Sequence, residues 1–197
     1  MGAIIADVSD PTEPDVPPAL FAALAADPLA AQLGITLEQV RPGYARASMT
    51  VGPAHLNAVG MAHGGATMGL LDVVHAAVSN SHGTLAVAQD VHTEFLAAGR
   101  PGDVLTAEGT EVHRSSRTAV YRIEARAQDG RMVATALARV FRLGTEWELP
   151  TDDSPPPVAP TQLLDPVVVI ETAPPPPPVA GPGTRPAGPT PAPDELR

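Results

Sequence analysis

Apolar and polar residues alternate with two different periods along this chain, and the change of period divides it into elements. "ALFAALAADPLAAQLG" predicts a short helix, broken near Pro28 and stopped at Gly34. "ITLEQVRPG" and "YARASMTV" read as two alternating strands joined at an Arg-Pro-Gly turn. Residues 57–80, "NAVGMAHGGATMGLLDVVHAAVSN", have a helix's length and start signals. Four further strands follow in "LAVAQDVHTEFL", "VLTAEGTEV", "TAVYRIEARA" and "MVATALARVFRLG", separated by the turn-like "GRPGD", "HRSSR" and "QDG". Strands in sequence with short connections predict an antiparallel meander.

The helix is apolar on nearly every face from residue 64 to residue 78, which predicts that it is buried. An α+β fold follows, with a curved antiparallel sheet of five to six strands wrapped around one central helix. Proline marks where this pattern stops. Sixteen of the 24 prolines fall after residue 149. Residues 150–197 are therefore expected to form a disordered, locally polyproline tail, interrupted by the apolar "VVVI" at 167–170. Residues 1–18 read as an acidic disordered extension, which leaves 19–149 as the folded domain.

Charge changes the picture only after it is divided. The net charge is −10. Residues 1–18 hold four acids and no base, 150–197 hold six acids and two arginines, and the middle is nearly neutral with 12 acids and ten arginines. No basic patch supports nucleic-acid binding. The acidic start does not resemble a signal or transit peptide, and no apolar run approaches the ~18 residues of a membrane span. A cytoplasmic protein is expected. With no cysteine, disulfides and thiolate metal sites are excluded, and neither metal nor cofactor is expected.

Candidate chemistry gathers at the helix. Gly64 and Gly65 would let another group approach the backbone closely. If the helix starts there, its first amides lack intrahelical acceptors and carry the positive end of the dipole, a site for a developing oxyanion. A tight turn is the plainer use of two glycines. Asp72, flanked by Leu70, Leu71, Val73 and Val74, is a candidate base or nucleophile, or else a satisfied structural acid. Seven to eight residues separate it from the glycines, ~10–12 Å along a helix. A short Asp side chain does not cover that gap. If both groups serve one reaction they come from two copies of the helix, so a dimer with sites across its interface is expected.

Asn57, "HGG" at 63–65 and Asp72 nine residues after the histidine together resemble the signature of hotdog-fold acyl-CoA thioesterases, most nearly the phenylacetic-acid-degradation (PaaI-like) type. "SNS" at 79–81, "VAQ" at 87–89, Arg117-Thr118 before Tyr121 and "DGR" at 129–131 are similar to that type as well. The resemblance covers roughly residues 20 to 144. It implies that Asp72 acts on the thioester as nucleophile or general base and that the Gly64 amide polarises the carbonyl. It also implies that Asn57 orients the water or acyl group, and that His63 shapes the carbonyl end. Coenzyme A would run along the surface of a homodimer or homotetramer, its phosphates met by Arg100, Arg114 or Arg117, with Gly65 and His75 also near the substrate.

The chain departs from that type in three places. Ala58 and Val59 stand where Gly-His is usual, His75 takes a helix position that is often aromatic, and no hydroxyl is available around Ala88–Gln89–Asp90. The expected activity is hydrolysis of an aryl-acetyl-CoA such as phenylacetyl- or hydroxyphenylacetyl-CoA. The alternatives are a medium-chain fatty acyl-CoA thioesterase, an enoyl-CoA hydratase using His75 with Asp72, or a non-catalytic acyl-CoA-binding module whose proline-rich tail recruits a protein partner.

Overall fold

Small apolar residues on the inner side of most strands let a six-stranded sheet close tightly around a helix in this computed structural model, which describes residues 15–147 and 149. Helices α1 (Pro18–Ala25) and α2 (Pro28–Gln32) come first. Asp27 separates them, its carboxylate accepting from the amides of Leu29 and Ala30 at 2.8 and 3.0 Å. That cap, with Pro28 at the first helical position, explains why the helical pattern breaks and restarts there. Strands β1 (Ile35–Arg41) and β2 (Tyr44–Thr50) form a hairpin, and a short 3-10 turn at Pro53–His55 leads toward α3 (Gly64–Asn80). Strands β3 (Thr84–Phe95), β4 (Val104–Arg114), β5 (Thr118–Ala127) and β6 (Met132–Glu146) complete the sheet. Residues 1–14 and the proline-rich tail with its "VVVI" lie outside those described. Within the expected acidic extension, however, Val16 is buried, its amide donates to the Val40 carbonyl at 3.2 Å and α1 begins at Pro18, so the fold starts earlier than residue 19.

The strand order is β1-β2-β4-β5-β6-β3, antiparallel throughout. The expected meander therefore holds for β1–β2 and for β4–β5–β6 but not for β3. That strand pairs with β6, and β2 pairs with β4 across the helix crossover. Among the described residues β3 is left at an edge with one long side unpaired.

The inner face of the sheet explains how closely the helix sits. Ala45, Ala47, Ala107, Ala119 and Ala125 are fully buried there beside Leu105, Ile123 and Tyr121. At Gly109 on β4, a Cβ would lie 2.7 Å from Val74 Cγ1 and 3.2 Å from Val78 Cγ1. No side chain of any size fits between strand and helix there. Leu70, Leu71, Val74 and Val78 face this wall and are fully buried.

Burial does not go all the way round α3, and this corrects the expectation of a wholly enclosed helix. Gly65, Asp72 and Ala76 are exposed, and Met68 and Gly69 only partly covered. These positions recur every three to four residues and form one open stripe. Among the described residues no helix is long and apolar enough to cross a membrane.

Candidate active site

The approach to α3 is held by its own hydrogen bonds. Asn57 Oδ1 accepts from the amides of Val59 and Met61 at 3.0 and 3.1 Å, closing the loop on itself. That use of an Asn side chain favours a turn. It also occupies the acceptor half of the carboxamide and leaves Nδ2 with donor capacity to spare. Two backbone bonds then seat the end of the loop, from Ala62 N to the Gly99 carbonyl at 2.9 Å and from His63 N to the His55 carbonyl at 2.7 Å.

His63 is the N-cap of the helix. Its Nδ1 accepts from the Gly65 amide at 2.8 Å. An imidazole nitrogen that accepts carries no proton, so in the neutral ring the proton sits on Nε2 and that atom becomes a donor facing outward. The cap also divides the glycine pair. The Gly65 amide is spent on His63, whereas the Gly64 amide, first in the helix, has no acceptor among the described residues. One free N–H at the positive end of a 17-residue helix is the polar feature of this end.

A cavity of about 350 Å³ opens beside it, lined by Ala62, Gly64, Thr67, Phe95, Leu96 and the backbone of residues 97–99. A Cβ on Gly64 would stand 3.5 Å from the Phe95 ring. Phe95 and Leu96 are themselves 55% and 57% exposed, large apolar groups at the mouth of an apolar space. Reading the sequence did not single out these two, nor Thr67; the "EFL" that ends the β3 pattern was the available signal, and it was read only as strand.

Asp72 lies two turns farther along. Its side chain is 59% exposed, on the open stripe. Its flanking residues Leu70, Leu71, Val73 and Val74 are buried, but at about 100° per residue they point away from it, so an apolar neighbourhood in sequence became an open one in space. Because the helix is regular from Gly64 to Asn80, the eight-residue separation of Gly64 and Asp72 is a rise of about 12 Å. Within one subunit the two groups do not meet.

His75 is the one sequence candidate that the fold brings to Asp72. Its Nδ1 lies 3.9 Å from Asp72 Oδ1, while its side chain is only 2% exposed. The arginines divide. Arg100 is exposed in the turn after the cavity's Gly99, and its amide donates to Asp103 Oδ2 at 2.8 Å. Arg131 Nη2 holds the same oxygen at 2.7 Å, and the Arg100 amide, opposed by burial and helped by the side chains of Arg131 and Gln128, keeps that carboxyl below its usual range. Arg114 and Arg117 stand at and beyond the other end of β4, roughly 35 Å along the strand. Arg114 is paired there with Glu111 at 3.2 Å. A single subunit therefore does not gather the three into one phosphate site.

Known proteins resemble this chain in sequence and in fold. Residues 59–134 match the thioesterase superfamily family model. The acyl-coenzyme A thioesterase PaaI of Escherichia coli K12 is 36% identical over 118 residues, which are 60% of this chain and 84% of that protein. The solved structure of the E. coli PaaI protein, from the phenylacetic acid degradation operon, superposes with a TM-score of 0.62 at 35% identity over 64% of this chain and 91% of that one. A putative esterase of Archaeoglobus fulgidus is 35% identical over 121 residues, 61% of this chain and 79% of the relative. A hypothetical thioesterase of Streptococcus pneumoniae TIGR4, solved with coenzyme A, is 32% identical with a TM-score of 0.56 over 57% of this chain and 88% of that one.

Proposed function

The chain belongs to the thioesterase superfamily, with the hotdog fold and a thioester hydrolase's chemistry, and from that premise we propose that it hydrolyses an aryl-acetyl-CoA to the free acid and coenzyme A. Two subunits form each site. Asp72 of one acts as base or nucleophile, and the Gly64 amide of the other receives the charge that develops on the thioester oxygen. The observation that carries this reading is the division along α3: an acceptor-free amide at its start and, about 12 Å on, a carboxylate on an open stripe of small residues. Two antiparallel copies of that stripe bring each acid to the other's helix start.

The sheet supports the same pairing. Strand β3 is 12 residues long and among the described residues has a partner on one side only, with Val87, Phe95 and the adjoining Leu96 exposed. A long unpaired edge is a template for another strand, and a β3–β3 pairing about a two-fold axis would set the two α3 helices side by side. In such a dimer the exposed Gly65 and Ala76 permit close helix approach. His63 Nε2 and Asn57 Nδ2 supply further donors around the carbonyl, and the acyl group enters the cavity beside Phe95 and Leu96. A planar aryl group fits that wall, since aromatic rings gain from stacked or edge contacts with Phe95. Arg100 is the arginine placed to meet a coenzyme A phosphate near this end.

Complementation between subunits tests the scheme. Gly64→Pro removes the amide proton at a helical position where proline is tolerated, and Asp72→Asn removes the carboxylate. Each homodimer should release almost no thiol. Mixed dimers hold one intact site, so an equal mixture after subunit exchange should recover about a quarter of wild-type activity. No recovery from a mixture shown to contain mixed dimers defeats the two-subunit site. Thiol release across aryl-acetyl- and medium-chain alkyl-CoAs tests the acyl group, with a higher kcat/KM for the aryl esters expected.

A further inference from the structure

His75 is a polar side chain placed where packing alone would prefer a hydrocarbon. It is fully buried against the sheet, its ring tilted 57° to that of Tyr121 with centroids 5.9 Å apart. Nε2 is buried without a hydrogen-bond partner among the described residues, and Nδ1 faces Asp72 Oδ1 at 3.9 Å. An orphaned buried polar atom costs about 1–3 kcal/mol, so its presence calls for a reason.

The Tyr121 ring packs beside that of His75, but its hydroxyl is engaged elsewhere. The Tyr121 hydroxyl is directed to Glu111 Oε2 at 3.4 Å. Glu111 in turn is held by His82 Nε2 at 3.0 Å and Arg114 Nε at 3.2 Å. Burial raises the Glu111 carboxyl, but the hydrogen bond and charge of His82, with Arg114, outweigh it and keep the group ionised as an acceptor. Burial first, then the Glu111 charge, pushes the Tyr121 phenol up and keeps its proton in place. The hydroxyl therefore stays with Glu111.

This decides the imidazole tautomer. Any form with a proton on Nε2 leaves a buried donor with nothing to accept it, the rarer and costlier kind of orphan. A proton on Nδ1 leaves only a bare lone pair inside and points the N–H at a carboxylate. We propose that His75 is a positioning residue for Asp72: in its Nδ1–H form it directs the Asp72 carboxylate toward the substrate carbonyl, by a hydrogen bond that closes from 3.9 Å when substrate confines the acid. The proposal rests on the reading of Asp72 as the group that acts on the thioester, and it adds an orienting partner on the same subunit. Without it, an exposed Asp side chain samples several rotamers, and misplacement of a reacting group is expensive.

The experiment has two arms. In ¹⁵N-labelled wild-type protein, long-range imidazole couplings should show the proton of His75 on Nδ1, with its resonance moving in Asp72→Asn. A proton on Nε2 overturns the proposal, and this arm needs no substitution at His75. In thiol-release kinetics, His75→Phe should lower kcat about 10- to 100-fold while KM changes less than about twofold. His75→Asn, whose Nδ2 occupies the place of the imidazole Nδ1, should recover part of the loss, and His75→Gln should not. In the Asp72→Asn background His75→Phe should cost nothing further, because a residue that acts through Asp72 has nothing left to orient. Wild-type kcat in folded His75→Phe, or a full additional loss in the Asp72→Asn background, overturns the proposal. If Asp72→Asn alone keeps wild-type kcat, the reading of the site itself has failed. If Asp72→Asn is inactive while His75→Phe is normal, only the positioning role has.

Discussion

The two ends of α3 are built on opposite principles. At its C-terminal end nearly every polar group is answered. Asn80 Oδ1 accepts from the Ala86 amide at 2.8 Å, and its Nδ2 donates to the Ala76 carbonyl at 2.9 Å. Ser81 Oγ donates to the Val78 carbonyl at 2.7 Å and accepts from the Gly43 amide at 2.8 Å. At the N-terminal end the Gly64 amide is unanswered and an apolar cavity stands beside it, and the open stripe runs on from there to the exposed Asp72 at mid-helix. A saturated end anchors the helix to the sheet; an unsaturated end keeps hydrogen-bonding capacity for a ligand. The rigidity of the first is what holds the second in place.

The sharpest way to break the contrast is to change one group at each end and compare activity with stability. Asp72→Asn should lower kcat by about a thousandfold, the range of a lost general base, while thermal unfolding stays within about 0.5 kcal/mol because the side chain is exposed. Activity without the carboxylate would remove the chemical meaning of the open end. Asn80→Ala should do the reverse. It strands the Ala86 amide inside the fold, so chemical denaturation should show about 2–3 kcal/mol less stability, with kcat per folded molecule nearly unchanged.

His63 stands between the two behaviours, because it both caps the helix and faces the cavity. His63→Ala should cost about 1 kcal/mol in stability through the lost cap and also lower kcat. His63→Asn, which can still accept from the Gly65 amide, should restore the stability and not the rate. Equal recovery of both would show that His63 only caps.

The smallest effect is expected from acid. Glu111 lies at the answered end, and its folded-state pKa is depressed overall, His82 and Arg114 outweighing burial. A depressed carboxyl stabilises the fold fully above its unfolded pKa of roughly 4.5, and that contribution disappears as pH falls through the lower folded value. Glu111→Gln should therefore flatten the acid limb of a stability–pH profile below about pH 4.5. An unchanged limb would mean that this cluster does not tie the helix end to β4.

How much of this was legible in the chain depends on how local each signal was. The strands of the domain follow from alternation, because side chains on a strand point to opposite faces whatever the strand pairs with. The break at Pro28 follows from Asp27 and proline, neighbours in sequence, and "HGG" marks the helix start because capping is completed within three residues. Asp72 was visible as an acid in an apolar run, but its burial was misjudged. The same buried flanks that suggested enclosure are what turn it outward, and only the placement of the helix against the sheet shows which side is open. Phe95 and Leu96 were passed over for a similar reason, since a strand's end becomes a cavity wall only when another element arrives beside it.

By itself, then, the order of residues determined the elements, the helix start and the acid two turns beyond it, since each rests on contacts a few residues apart. Tertiary structure decided that β3 leaves its neighbours to pair with β6, and that Tyr121 packs beside His75 while its hydroxyl turns to Glu111. The first joins strands that β4 and β5 separate in the chain, and the second sets the β4–β5 hairpin against α3. Their pairing is selected by how the whole sheet buries its alanine-lined face against one helix, and no stretch of sequence contains that choice.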